Sequence, residues 1–283
     1  DYEFRKADLV DGASVDALVG SIKPDLIIQA AARIYGVCGF NKYCADILGE
    51  DLALHNNVLK AAVKYHVPKV VYTSSSMVYE NCEGIVKEDD VDTMISPYTE
   101  YGLSKFVGER MSIAFEKQYG VAYTIWRPFN VLTPYERAEH DQGVSHVFAD
   151  FMKEIVVNRI CHLPILGDGK QVRCFTWIDE VAQAIVDYSF LEKTDNETYN
   201  LGNREPISMR VLAEKIKDIA SKEFRLLDDY FLLYDSIGDY ENDVRVRIPN
   251  VDKAKKDLGW EARMKVDDSV RMCLKYIVDG KHV

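Results

Sequence analysis

Short β-rich apolar runs alternate with amphipathic helical stretches through the first 200 residues of the chain. The runs LIIQAA (26–31), KVVYTSS (69–75), AYTIWR (122–127) and TYNLG (198–202) predict strands. Nearly continuous apolar runs suit strands covered on both faces, and their alternation with helices predicts βαβ units around a buried parallel sheet. Between them Leu48, Leu52, Leu59 and Val63 recur at helical spacing, and a second helix is predicted from Glu100 to Tyr119, stopped by Gly120. After residue 203 the pattern changes: Ser208 suits the N-cap of MRVLAEKIKDIA, Asp252 that of KAKKDL, and a last helix is predicted over 266–279. Residues 128–174 form a long irregular stretch with one predicted helix at 145–158. A stretch of that kind inside a compact domain carries binding function more often than it merely connects. The fold expected is α/β, a doubly wound parallel sheet followed by a smaller C-terminal α/β lobe.

Composition narrows the classes. With 47% apolar and 11% aromatic residues among 283, the chain can bury a large core. A formal charge of −11 argues against general nucleic-acid affinity, which draws on clustered Lys and Arg. No apolar run is long enough to span a bilayer and no secretion signal opens the sequence, so a soluble cytoplasmic protein with no membrane partner is expected. The six cysteines are scattered, without CxxC or a Cys/His cluster, which argues for reduced thiols and against a metal site.

A dinucleotide-binding domain normally opens with strand, glycine-rich turn and helix, where backbone amides meet the pyrophosphate. No such turn is present. GDGKQVR (167–173) has two glycines but sits far downstream, and a ligand-touching loop and a plain turn are both open for it.

The sharpest chemistry lies in YTSSSMVYE (72–80) and YTEYGLSKF (98–106). Tyr101 and Lys105, four apart, share one face of the predicted helix. A nearby ammonium lowers a phenol's pKa toward neutrality, where proton exchange with a sugar hydroxyl is most efficient. Ser75, at a strand end where parallel sheets place ligands, can hydrogen-bond the same hydroxyl. Tyr-x-x-x-Lys alone is a weak signal, and a solvated helix face explains it better; joined to the strand-end serines it becomes a candidate catalytic set.

Together TSSSMVY, YGLSK, RPFNV (127–131), GDGKQVR followed by WIDEVAQAI (177–185), YNLGN (199–203) and KAKKDLGW (253–260) resemble the extended short-chain dehydrogenases that act on nucleotide sugars: 4-epimerases, 4,6-dehydratases and UDP-glucuronate decarboxylases. The match runs in order from ADLVD (7–11) to the end. The resemblance implies a Rossmann-like domain over 1–135 plus 175–202, its first βαβ unit with the glycine motif missing, and a nucleotide-sugar lobe over 136–174 plus 203–283. It implies NAD, with NADP open, held by Asp8, Leu9, Ala30, Ala31, Ala32, Tyr101, Lys105 and Pro128. Ordinary strand packing is the alternative for the three alanines.

On the substrate side it implies Ser76, Met77, Asn130, His146, Arg173 and Arg245 around a UDP- or GDP-linked sugar. Arg173 would meet the diphosphate through its planar fork. Arg245 or Arg247 would add a phosphate contact, although their alternation also fits an exposed strand, and His146 also fits a capping or packing role. Relatives commonly pair through the helix bearing Tyr101 and the one before it, so a homodimer is expected. Two departures from the family pattern stand out: Glu50 and Asp51 where an asparagine is frequent, and Tyr240 where an arginine is frequent.

The two positions after the catalytic serine separate the reactions. By resemblance they hold Asp-Glu in 4,6-dehydratases, Ser-Glu in decarboxylases and a cysteine in 3,5-epimerases; here they are Ser76 and Met77. A thioether neither takes a proton from C5 nor gives one to a leaving hydroxyl. The expectation is a 4-epimerase with Ser75, Tyr101 and Lys105 catalytic. A C4 dehydrogenase or reductase, a decarboxylase or dehydratase, and a non-catalytic nucleotide-binding relative are the alternatives.

Overall fold

The computed structural model describes residues 2–138, 144–228, 230–238 and 244–280, so the Tyr240 departure lies outside the described residues. Four parallel strands, Ile27–Gln29, Lys69–Thr73, Ala122–Pro128 and Glu197–Leu201, hydrogen-bond in that order. All four sit where the apolar runs predict, the first two ending a residue or two early.

Helices cover both faces of this sheet, and successive residues of one strand divide between them, as the two-residue repeat requires. Val70 packs with Val15, Val19, Val58 and Leu59 of the helices Gly12–Ile22 and Cys44–Lys64, and Met111 and Phe115 of Glu100–Tyr119 join them. Val71 turns the other way, to Trp126, Tyr199, Val181 and Ala184 of the helix Ile178–Tyr188 and Leu258 of Asp252–Leu258. The result is the doubly wound, Rossmann-like α/β architecture expected.

A second large core lies beyond the sheet. Phe148, Phe151, Ile155, Leu163, Phe175 and Trp177 pack against Leu212 and Ile216 of the helix Met209–Lys222 and against Val270 and Leu274 of Val266–Val278. The short parallel pair Val131–Leu132 and Thr176–Trp177 carries the chain from the sheet into this core and back.

The stop and start signals mostly act as predicted. Gly120 adopts φ 73°, a left-handed cap ending Glu100–Tyr119, and Ser208 accepts from Val211 N as an N-cap. Asp252 does not cap: it is the first residue of its helix, Val251 is the N-cap, and the carboxylate is held by Arg204 and Asn250. The helix predicted over 145–158 is two pieces, α-helix Val147–Phe151 and a π-helical stretch Met152–Val157. GDGKQVR is a turn with Gly167 and Gly169 at positive φ. A Cβ on Gly169 would collide with Ile165, so glycine there serves close packing.

Candidate active site

The strand Lys69–Thr73 runs into Ser74 and Ser75, and Ser75 Oγ accepts from Met77 N at 3.1 Å, starting the 3-10 turn Ser76–Tyr79. The next helix is fastened to that turn. Glu80 accepts from Thr99 N at 2.8 Å and Thr99 Oγ1 at 2.6 Å, while Thr99 caps the helix by accepting from Gly102 N at 2.9 Å. A Cβ at Gly102 would lie 2.8 Å from Met77 O and from Glu80 Oε2, so only glycine lets helix and turn approach this closely.

This joint brings Ser75, Tyr101 and Lys105 together. The Ser75 hydroxyl lies near the Tyr101 phenol and eases its ionisation. The Tyr101 ring lies flat against Phe40, centroids 4.7 Å apart, with Met77 and Tyr43 packed around the pair. Lys105 Nζ donates to Thr73 O at 3.2 Å and sits 5.7 Å from the Tyr101 ring centroid.

The electrostatics differ from the sequence expectation in one respect. Lys105 does not bring the phenol toward neutrality: burial pushes Tyr101 up to about 12, the Ser75 hydrogen bond pulls it partly back, and Asp51 raises it. Burial lowers Lys105 to about 8, against Asp51 and Glu109, which favour its charged form. Desolvation wins because both groups are fully enclosed, so the folded site stores its proton on the phenol.

The neighbouring strand ends form the other half of the site. A groove of about 270 Å³ beside Ile27–Gln29 is lined by Leu9, Ala30, Ala31 and other apolar residues, with Gln29 among them as the polar one. Ala30 and Ala31 are exposed and lie past the strand end, so strand packing does not explain them. Asp8 is exposed nearby and accepts from Val10 N, Ala32 is half-buried, and Pro128 ends the strand Ala122–Pro128. Gln29 Oε1 and Thr73 Oγ1 are buried at adjacent strand ends without a hydrogen-bond partner. Polar atoms left so are costly. They fit a ligand that lies across the strand ends and brings its own polar groups, as a dinucleotide does.

The substrate-side candidates are more dispersed. Ser76 is buried in the turn, and Met77 sulfur accepts from Arg247 at 3.3 Å. Asn130, at φ 35°, donates to Cys174 O at 3.1 Å. Arg173 is buried and donates to Val172 O and Val244 O. Arg245 is turned to the surface, where both oxygens of Asp168 hold it. Arg247, two residues on, is the buried one at Met77, so this strand is not plainly exposed. His146 Nδ1 meets Glu136 Oε1 at 2.8 Å; burial disfavours its charge, but Glu136 outweighs that and raises its pKa.

Two further groups stand at the site, one noted in the sequence only as a departure from the family pattern and the other not at all. Asp51 and His55 of the helix Cys44–Lys64 are buried beside Lys105. Their signal was legible: both stand in register with Ile47, Leu54, Val58 and Leu59, on a stripe that should be apolar. No helix among the described residues is long and apolar enough to cross a membrane.

A family model described as "NAD dependent epimerase/dehydratase family" matches residues 1–202. GDP-L-fucose synthase 1 of Arabidopsis thaliana is 28% identical over 229 residues, 77% of this chain and 69% of that protein. UDP-glucuronate 4-epimerase of Thermodesulfobacterium geofontis is 25% identical over 277 residues, 97% of this chain and 79% of the relative. Among solved structures, UDP-glucose 4-epimerase of Thermotoga maritima with UDP-glucose superposes with a TM-score of 0.80 at 24% identity, covering 98% of this chain and 85% of the other.

Proposed function

The chain belongs to the NAD dependent epimerase/dehydratase family, and on that premise we propose that it is a nucleotide-sugar 4-epimerase working by transient oxidation at C4 with Tyr101 as acid/base. The observation that carries the reading is the content of the turn after Ser75. Ser76 is buried, Met77 packs beside Tyr101, and the one carboxylate of the turn, Glu80, is bound by Thr99. Hydride and proton exchange at C4 are within reach of such a site, whereas elimination or decarboxylation also wants an acid/base at those positions.

The nicotinamide cofactor, held by Asp8, Leu9, Ala30, Ala31, Ala32, Tyr101, Lys105 and Pro128, supplies a reversible hydride acceptor, so an epimerisation leaves no net redox change. Tyr101 has to give up its own proton before turnover; as the phenolate it takes the proton of the C4 hydroxyl while the carbonyl forms and returns it when the opposite face is reduced, with Ser75 holding that oxygen in line. His146, Arg173 and Arg245 belong to the proposed substrate lobe, 136–174 with 203–283, while Asn130 lies in the proposed cofactor domain, six residues before that lobe begins. A cytoplasmic homodimer using NAD and a UDP- or GDP-linked sugar completes the reading. The intact Ser-Tyr-Lys set argues against a purely binding relative, which has no physical need of it.

The test is incubation of the purified protein with UDP-, GDP- and dTDP-hexoses and catalytic NAD, with products followed by NMR. A C4-inverted sugar without net NADH is expected. Stoichiometric NADH identifies a C4 dehydrogenase instead, and a 4-keto-6-deoxy product overturns the argument from Ser76 and Met77.

A further inference from the structure

Lys105 is enclosed by groups from three elements. Its own helix contributes Tyr101 one turn before and Glu109 one turn after; the strand Lys69–Thr73 contributes the Tyr72 ring at 5.3 Å and the Thr73 carbonyl at 3.2 Å. The helix Cys44–Lys64 contributes Asp51 and, one turn on, His55. These groups are unequal. Glu109 is already matched by Arg127, which donates to both its oxygens at 2.7 and 2.8 Å. His55 lies against Tyr72 and spends Nε2 on Gly108 O and Ser112 Oγ at 3.1 and 3.0 Å; burial, then Lys105, hold it neutral, with its pKa lowered to about 3.

Asp51 differs. Only 4% exposed, its carboxylate accepts from the Arg33 amide at 2.7 Å and from Ser104 Oγ at 3.2 Å, and Ser104 directly precedes Lys105. Burial raises the Asp51 pKa; the Arg33 amide, then the field of Lys105, then Ser104 pull the other way, and Lys105 is the cation among these groups that favours the ionised form. Arg33 directly follows Ala32, so one carboxylate ties the proposed cofactor segment to the catalytic helix.

We propose that Asp51 is a positioning residue: it is the counter-charge that keeps Lys105 an ammonium in the closed site, and it anchors the Ala30–Ala32 segment through the Arg33 amide. The inference deepens the proposed function and rests on it only for its effect on turnover.

Asp51→Asn removes the charge and keeps the shape and the acceptor for Arg33 N. The primary reading is NMR titration of protein carrying 13Cε-labelled lysine, with the Lys105 signal assigned by its loss in Lys105→Met. The Lys105 midpoint is expected to move acidward by about one pH unit in Asp51→Asn, and to stay in place in Glu50→Gln, which alters the neighbouring Arg33 ion pair instead. An unmoved midpoint in Asp51→Asn overturns the proposal. Because coupling is reciprocal, Lys105→Met must raise the Asp51 midpoint in 13Cγ-aspartate-labelled protein; this second reading decides the matter if Asp51→Asn does not fold. The basic limb of the pH–rate profile should then shift with Lys105. Shifted midpoints without turnover on any nucleotide sugar leave the proposal standing and remove the assigned reaction.

Discussion

Removing one oxygen tests the proposed acid/base directly. Tyr101→Phe deletes the phenolic hydroxyl near Ser75 and preserves the ring stacked on Phe40. Turnover on the identified nucleotide sugar should fall at least ~100-fold, the usual weight of general acid/base transfer, with the thermal midpoint nearly unchanged. Retained turnover would remove Tyr101 from the chemistry. His55 makes a separate prediction about acid stability. Its folded pKa, lowered to about 3, lies below the ordinary 6.5. Between those values the unfolded chain binds the extra proton, so this contribution is present above pH 6.5 and lost as pH falls toward 3. Urea midpoints of the wild type should drop more steeply over that window than those of His55→Gln, whose side chain can still donate to Gly108 O; parallel curves would contradict the assignment. The meeting of Ser75, Tyr101 and Lys105 was legible in the sequence because a spacing of four sets the last two on one helix face and the run of serines marks the strand end that this helix follows. The sense of the Tyr101 shift was not, because desolvation depends on Phe40, whose stacking on Tyr101 no local pattern announces.

Among elements, strands and long helices were legible because two-residue and 3.6-residue periods, with Gly120 and Ser208 as punctuation, agree with the packing they enter. Met152–Val157 was not, since its π-helical turn leaves the apolar pattern looking helical. The joint between the Ser75 turn and the catalytic helix was equally hidden: it depends on Gly102 facing Met77 O, a contact between segments 25 residues apart in the numbering. Gly102→Ala weighs two opposing effects there. Alanine improves helix propensity by about 1 kcal/mol, but its methyl group would stand 2.8 Å from a backbone oxygen that cannot rotate away. Overpacking of that kind costs about 1–3 kcal/mol, so the clash prevails. The variant should lose stability and, by lifting Tyr101 from Ser75, lose kcat more than it raises KM. A stabilised and fully active Gly102→Ala would show that the joint is looser than drawn.

Across the whole molecule, one buried polar network fastens the catalytic helix to the sheet. Arg127 on the central strand pairs with Glu109 and donates to Tyr79 Oη at 2.6 Å and Glu88 O at 2.8 Å. Ser74 donates to Glu109 at 2.5 Å, and Tyr79 donates to Asn200 on the last strand at 2.8 Å. Its members span Ser74 to Asn200, which is why no sequence window showed it. A buried pair of this kind stabilises less than its attraction suggests, because both ions surrendered water, yet removing one partner leaves the other charge stranded at about 3–5 kcal/mol. Arg127→Met should therefore lower the urea unfolding free energy by that order and weaken activity through the Ser74 end of the turn. Arg127→Met combined with Glu109→Leu removes both charges and should be more stable than Arg127→Met alone, since no unpaired carboxylate remains. If instead the two losses simply add, the ion pair is not the joint, and the hydrogen bonds of Tyr79 and Ser74 carry the connection between sheet and catalytic turn.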